Sequence, residues 1–368
     1  MALTFHQLLS EADTHEYGAP EKAELLDRAI ALADETAHTW RQFQARKARM
    51  EAAIFGGEAE LALSLFAWCR RMSDDRPDVI DPTALLWTYK HIVMQLPRFS
   101  RISQAQMDAV AQEMEASYQA CGASPRPVLA KRAEAAVGQG RITQARELSD
   151  AAMQHPRDRW ADCAACETAF SIEVLLGERR FSDLIDAAKP IVAGQVRCAE
   201  VPHMVLTNVM LAHAALGEAD QVETLRRQSY RLVQRNPAFI KEVSLHIELH
   251  VSQDQLPEAA RLATRHMPWL GRATDDRSQF HFLRALHILL AALVRAPVRA
   301  SAWRTKLLET LEARYDALPE GSTLEARQQA LAAVVADKGL KLATAFDKRN
   351  GNDAFLRAWE APAFKLGA

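Results

Sequence analysis

The chain has 368 residues, with 45 Lys and Arg against 47 Asp and Glu and a net charge of −2. Hydrophobic residues make up 49% and charged residues 25%, which excludes an intrinsically disordered chain; the lack of a basic excess makes nucleic acid an unexpected partner. No run of about 18 uncharged apolar residues occurs, and Leu286–Val294 is too short to span a bilayer, so no membrane segment is expected.

Met1–Ser10 lacks a basic stretch followed by an apolar core, so no signal peptide is expected. Five cysteines, an odd number, do not suit a disulfide framework. The reading is a reducing cytoplasm, where clustered thiols hold metal or carry out redox chemistry.

Apolar residues recur at helical spacing along the chain, without sustained two-residue alternation. Leu25, Leu26, Ala29, Ile30 and Ala33 form one helical face, and Leu61, Leu65, Phe66, Trp68 and Cys69 form another. Asp81 before Pro82 predicts a capped helix start. The stretch that follows presents Leu85, Leu86, Tyr89, Ile92, Val93 and Leu96, read as core packing or, alternatively, a partner-binding patch. Ser103 with Gln106, and Ser322 with Glu325, have capping-box spacing. The predicted fold class is all-α.

A period then emerges. Turn residues stand at Gly140, Gly177, Gly217 and Asp254, separated by 37, 40 and 37 residues, with an earlier counterpart at Gly56-Gly57. Each unit reads helix, tight turn, helix, and then a link containing Pro156, Pro190, Pro237 or Pro268. Such hairpins bury their apolar faces only by stacking on neighbours.

Five positions after the turn comes a small residue in three units: Ala62 after Gly57, Ala145 after Gly140 and Ala259 after Asp254. The second unit also carries the small residues Ala133, Ala136 and Ala152. In these residues the chain resembles tetratricopeptide repeats over roughly residues 38–270. It departs from them at Ser182 and Val222, and in a period longer than the usual ~34 residues. The resemblance implies a helix-turn-helix solenoid over 1–270 with a concave surface for protein or peptide partners. Helices near 277–296, 299–317 and 323–347, a turn at Lys348–Asp353 and a short helix around Ala354–Trp359 predict a C-terminal helical cap over 271–368.

One constellation carries metal chemistry. Cys163 and Cys166 form a C-x2-C pair, and Cys198 is followed by His203. The separations from Cys163 to Cys198 and from Cys166 to His203, 35 and 37 residues, are close to the repeat period. Corresponding positions on successive hairpins are neighbours, so the four donors are expected to converge on a structural Zn²⁺ clamping two repeats. Small buried cysteines and a redox pair are the alternatives.

Other residues offer less. His246 and His250 share a helical face, but Glu248 is misplaced for H-E-x-x-H, so they are read as surface or groove histidines. His281 and His287 receive no role. Asp74-Asp75 and Asp275-Asp276 are read as caps in solvated links, and Gly138-Gln139-Gly140 as a hairpin turn. Arg41, Arg46, Lys47 and Arg49 lie on one helix. Arg227, Arg231 and Arg235 form a stripe on another, a solvated face or a site for an acidic peptide or anion. The expected function is a non-enzymatic protein- or peptide-binding scaffold. A ligand-sensing regulator using the arginine stripe is the alternative, followed by a thiol-based redox or metal-dependent enzyme.

Overall fold

A computed structural model describes residues 3–196, 198, 201–272, 275–297, 301–315, 322–361 and 363–364. Among these the chain is all-helical, without a strand. In chain order the first helices are α1 (Phe5–Ala12), α2 (Pro20–Glu35), α3 (Thr39–Gly56), α4 (Ala59–Asp75) and α5 (Leu86–Gln95). Next come α6 (Gln104–Ala120), α7 (Arg126–Gly138), α8 (Ile142–Met153), α9 (Ala164–Gly177) and α10 (Phe181–Val192). They are followed by α11 (Val201–Ala215), α12 (Ala219–Val233), α13 (Ile240–Ser252), α14 (Leu256–His266) and α15 (Trp269–Arg272). The series ends with α16 (Asp276–Arg295), α17 (Ala302–Tyr315), α18 (Leu324–Asn350) and α19 (Ala354–Glu360). No helix among the described residues is long and apolar enough to cross a membrane.

Several helix boundaries follow the local chemistry. Asp81 accepts the Thr83 N–H at 2.7 Å and opens a short 3-10 turn, Pro82–Leu85, ahead of α5. Ser103 and Gln106 cap α6 reciprocally. At α18 the cap is Thr323, whose side chain accepts the Ala326 N–H, and not the expected Ser322. Pro190, expected in a link, lies inside the last turns of α10. The third hairpin turn is also displaced: Arg179, not Gly177, adopts the left-handed conformation, as Gly57, Gly140, Gly217 and Asp254 do. That shift evens the spacing of the turns. The residue five positions on is then buried in every unit: Ala62, Ala145, Leu184, Val222 and Ala259.

Most helices pack on their sequence neighbours, and a second set of contacts skips one helix. Thus α3 touches α5, α5 touches α7, α7 touches α9, α9 touches α11, and α11 touches α13. The next member is α16, which packs on α13 and carries α18 on its other side. Helix α13 is buried around its full circumference, from Ile240 to Val251. Each large side chain so removed from water contributes roughly 1.5–3 kcal/mol.

The series then curls back on itself. Arg98 lies in the 3-10 turn Leu96–Arg98, and its guanidinium pairs with Asp275 at 3.0 Å and bonds Ser278 at 2.8 Å. Asp276 accepts the backbone N–H and hydroxyl of Ser100. Asp275 caps α16 as expected, but it is fully buried in this lock and not solvated. Asn350 and Asn352 both donate to the Gln139 carbonyl, and Arg349 donates to the carbonyls of Pro97 and Phe99. Further back, Asn236 donates to the Phe55 carbonyl at 2.8 Å. Gly57 is needed there twice over: its φ is +84°, and a Cβ would lie 2.9 Å from the Ala238 nitrogen.

Candidate metal centre

The loop between α8 and α9 is held before its thiols are considered. The Asp158 carboxylate accepts the N–H groups of Trp160 and Ala161 through one oxygen and that of Ser124 through the other. Asp162 accepts Lys90 and Lys131, each at 2.7 Å, and Lys90 also donates to the Trp160 carbonyl. Both lysines are almost wholly buried, at 2% and 5% exposure, so Asp162 is the counter-charge that makes their burial tolerable. Burial would raise the Asp162 carboxyl, but Lys131 and Lys90 hold it well below the usual carboxylate range. Burial pushes Glu134, the second partner of Lys131, upward. One residue past the thiols, Glu167 takes a bidentate pair from Arg126, with both contacts at 3.0 Å.

Cys163 is the N-cap of α9. Its sulfur accepts the Cys166 N–H at 3.4 Å, filling the role usually taken by Ser or Asp. Cys166 follows within the first turn, and Cys198 arrives from the segment before α11. The Cys163–Cys166 sulfurs are 3.4 Å apart, those of Cys166 and Cys198 are 3.6 Å apart, and all three lie within 4.8 Å of one another. A tetrahedral Zn²⁺ with Zn–S near ~2.3 Å separates its sulfurs by about 3.8 Å, so the three thiols are spaced for one ion. Burial works to raise Cys163, but the Cys166 N–H and the two neighbouring thiols bring it below the ordinary thiol value. Cys166 is driven upward by burial and by sharing its proton with Cys163. Cys163, the most exposed of the three, is therefore the thiol that ionises most readily.

His203 does not join them. It lies in the first turn of α11, and its ring stacks flat on Phe239, with centroids 4.7 Å apart and planes at 1°. The spacing argument thus holds for the thiols that precede the two helices and fails for the imidazole one turn inside. The remaining cysteines lie elsewhere: Cys69 is buried, its thiol pushed up to about 12 by burial, and Cys121 is separate.

The arginine stripe is exposed at Arg227, Arg231 and Arg235, but Arg227 is already paired with Glu223 at 2.7 Å, and Arg235 lies beyond the end of α12. On α3, Arg46 pairs with Asp34, Arg49 with Asp27 and Glu58, and Lys47 with Glu51. His246 and His250 are not surface groups. His246 is 1% exposed and bonds Ser229 at 2.8 Å, and His250 bonds Gln255 at 2.7 Å. Sequence reasoning missed the Lys90–Asp162–Lys131 cluster; its one visible trace is a lysine, Lys90, inside the chain's most aromatic stretch.

No protein-family model matches the sequence, and no curated protein is significantly similar to it.

Proposed function

We propose that the chain is a non-enzymatic, tetratricopeptide-like solenoid that binds a protein or peptide, with a structural Zn²⁺ held by Cys163, Cys166 and Cys198. The observation that carries the proposal is the meeting of three thiols from two successive hairpins at separations suited to one tetrahedral ion. The skip-one contacts of α3, α5, α7, α9, α11 and α13 support the repeat reading, because stacked hairpins bury their faces in this way. Zinc at this junction would clamp the hairpin of α9 to that of α11; small zinc modules gain about 10–16 kcal/mol from such a site. Rotation of His203 off Phe239, or a water molecule, would supply the fourth ligand.

Metal analysis of the purified full chain tests this directly. One equivalent of zinc, lost in Cys166→Ser, is the expected result; stoichiometric absence of metal overturns the clamp. A stable protein or peptide partner, whose binding is reduced by chelation, is expected for the scaffold. One observation favours a second reading. With His203 turned away, three ligands leave a coordination position open, the arrangement of reactive rather than structural zinc. Rapid alkylation of Cys163 in the zinc-loaded protein, together with unchanged zinc content in His203→Ala, would favour that reading.

A further inference from the structure

The last described residues cross from one apolar core to another. Trp359, in α19, belongs to the core that α13, α16 and α18 share. Phe364 is 4% exposed and belongs instead to the core built by α9–α13, which includes Leu245 and Leu249. Between the two rings, Ala361 leaves α19 in an extended conformation, with φ −109° and ψ 107°. Two buried side chains hold this tail by its backbone alone. Glu248 of α13 accepts the Ala363 N–H at 3.1 Å, and Arg284 of α16 donates to the Ala361 carbonyl at 3.4 Å. Glu248 and Arg284 also pair with each other, at 2.8 Å, through the same oxygen and nitrogen. Burial works to raise the Glu248 carboxyl, and Arg284 and the Ala363 amide oppose it. A carbonyl and an N–H read from an extended segment, with an apolar seat for one side chain, are the elements of peptide recognition.

The tail fits this seat loosely. A cavity of about 240 Å³ remains beside it, lined by Val251, His287, Ile288, Ala291, Trp359 and Phe364. A cavity of about 150 Å³ already takes a benzene ring. Arg295 and Glu360 also line the space and are exposed, so it opens to the surface. The bond from Arg284 to Ala361 is long, and the Nε of Arg284 is buried without a partner. The contacts made by Ala361, Ala363 and Phe364 are two main-chain bonds and one ring. Any extended segment with an aromatic side chain at the place of Phe364 makes the same contacts, and a bulkier ring also fills the cavity.

We propose that the surface of α13 and α16 around Glu248 and Arg284 is a peptide seat, occupied in the free chain by its own tail. Its partner is an extended segment of another protein that brings an aromatic side chain to the place of Phe364. The inference rests on the protein- or peptide-binding reading above, to which it gives a location and a sequence requirement; the metal site plays no part in it. The tail competes through its tether. A short tether supplies an effective concentration on the order of 1 mM, so a free segment displaces the tail by binding better or by exceeding that concentration.

A synthetic peptide with the sequence of residues 360–368, titrated by calorimetry into the full chain and into full-length Phe364→Ala, tests the seat. The substitution removes the ring from the competing tail. The peptide is therefore expected to bind Phe364→Ala at least ~10-fold more tightly than the unmodified chain, the fold-change that burial of one such ring supplies. The same peptide carrying Phe364→Ala is expected to bind at least ~10-fold more weakly than the parent peptide. Equal binding to the two chains, no binding to Phe364→Ala, or undiminished binding of the ring-less peptide overturns the seat. Should Phe364→Ala lose helical circular dichroism, Ala363→Pro decides by the same comparison, because it removes the N–H that Glu248 accepts and keeps the ring. A concentration-dependent dimer of the unmodified chain, abolished by Phe364→Ala, would assign the seat to the tail of a second copy and overturn the partner. A protein partner that binds both chains equally keeps the scaffold reading and overturns the seat. Peptide binding as expected, with no protein partner found, does the reverse.

Discussion

Two polar clusters lie inside this helical chain, and they are built differently. Beside the thiols, Lys90, Lys131, Asp162, Arg126 and Glu167 bond to one another or to backbone, and the result is a loop whose cysteines are already in place. Along α16 and α13, Arg277 and Glu242 lack such partners. A completed network fixes geometry, whereas an incomplete one costs stability. The same residue types therefore hold a loop in place in one cluster and stand without partners in the other.

The contrast is sharpest under substitution. Asp162→Asn strands Lys90 without a carboxylate, leaves Lys131 with Glu134 alone, and is expected to cost roughly 3–5 kcal/mol in urea unfolding. The same variant should weaken zinc binding, because Asp162 anchors the backbone next to Cys163. Removal of zinc comes next. If free metal stands at a thousand times its Kd, chelation should lower stability by about 4 kcal/mol, and Cys198→Ser should abolish that metal-dependent increment.

The buried histidines stand between the two cases, bonded only in their neutral form. Burial lowers His246 to about 3 and His266 to about 4, from an ordinary value of 6.5. As pH falls below 6.5 the unfolded chain takes up protons that the folded chain refuses, so stability declines. Between pH 6.5 and 5 each histidine should cost about 2 kcal/mol, and the slope in urea melts should flatten in His246→Asn. By contrast, Arg277→Met and Glu242→Gln should change stability by less than about 1 kcal/mol, or raise it, because neither leaves a paired charge behind. A loss above ~3 kcal/mol in either variant would show that its charge belongs to a completed network after all. The smallest effect, within about 0.5 kcal/mol, is expected for the exposed pair Arg227→Glu and Arg231→Glu.

Helix content and most hairpin turns were legible because helical spacing, caps and left-handed turns are local properties. The thiol convergence was legible because a period converts sequence distance into spatial adjacency. His203 escaped that rule, since a period sets where a helix starts but not which aromatic ring its first turn meets. The Gly177 turn misled for a related reason: glycine suits the left-handed conformation, but Arg179 occupies it here, two residues on. The approach of Arg277 to Gly138 at the end of α7 was illegible altogether, because it arises only through the packing of many helices. Asp275-Asp276 illustrates the same limit, with a local cap read correctly and its burial against Arg98 and Ser100 hidden.

The closure of the helix series on itself also bears on how the chain emerges during synthesis. Arg349 docks on the carbonyl of Phe99, 250 residues earlier, so the turn Leu96–Arg98 leaves the ribosome long before its cover exists. At about 5–20 residues per second that interval lasts about 10–50 s. Throughout it the early hairpins present an uncovered edge, which closes only when α18 is complete.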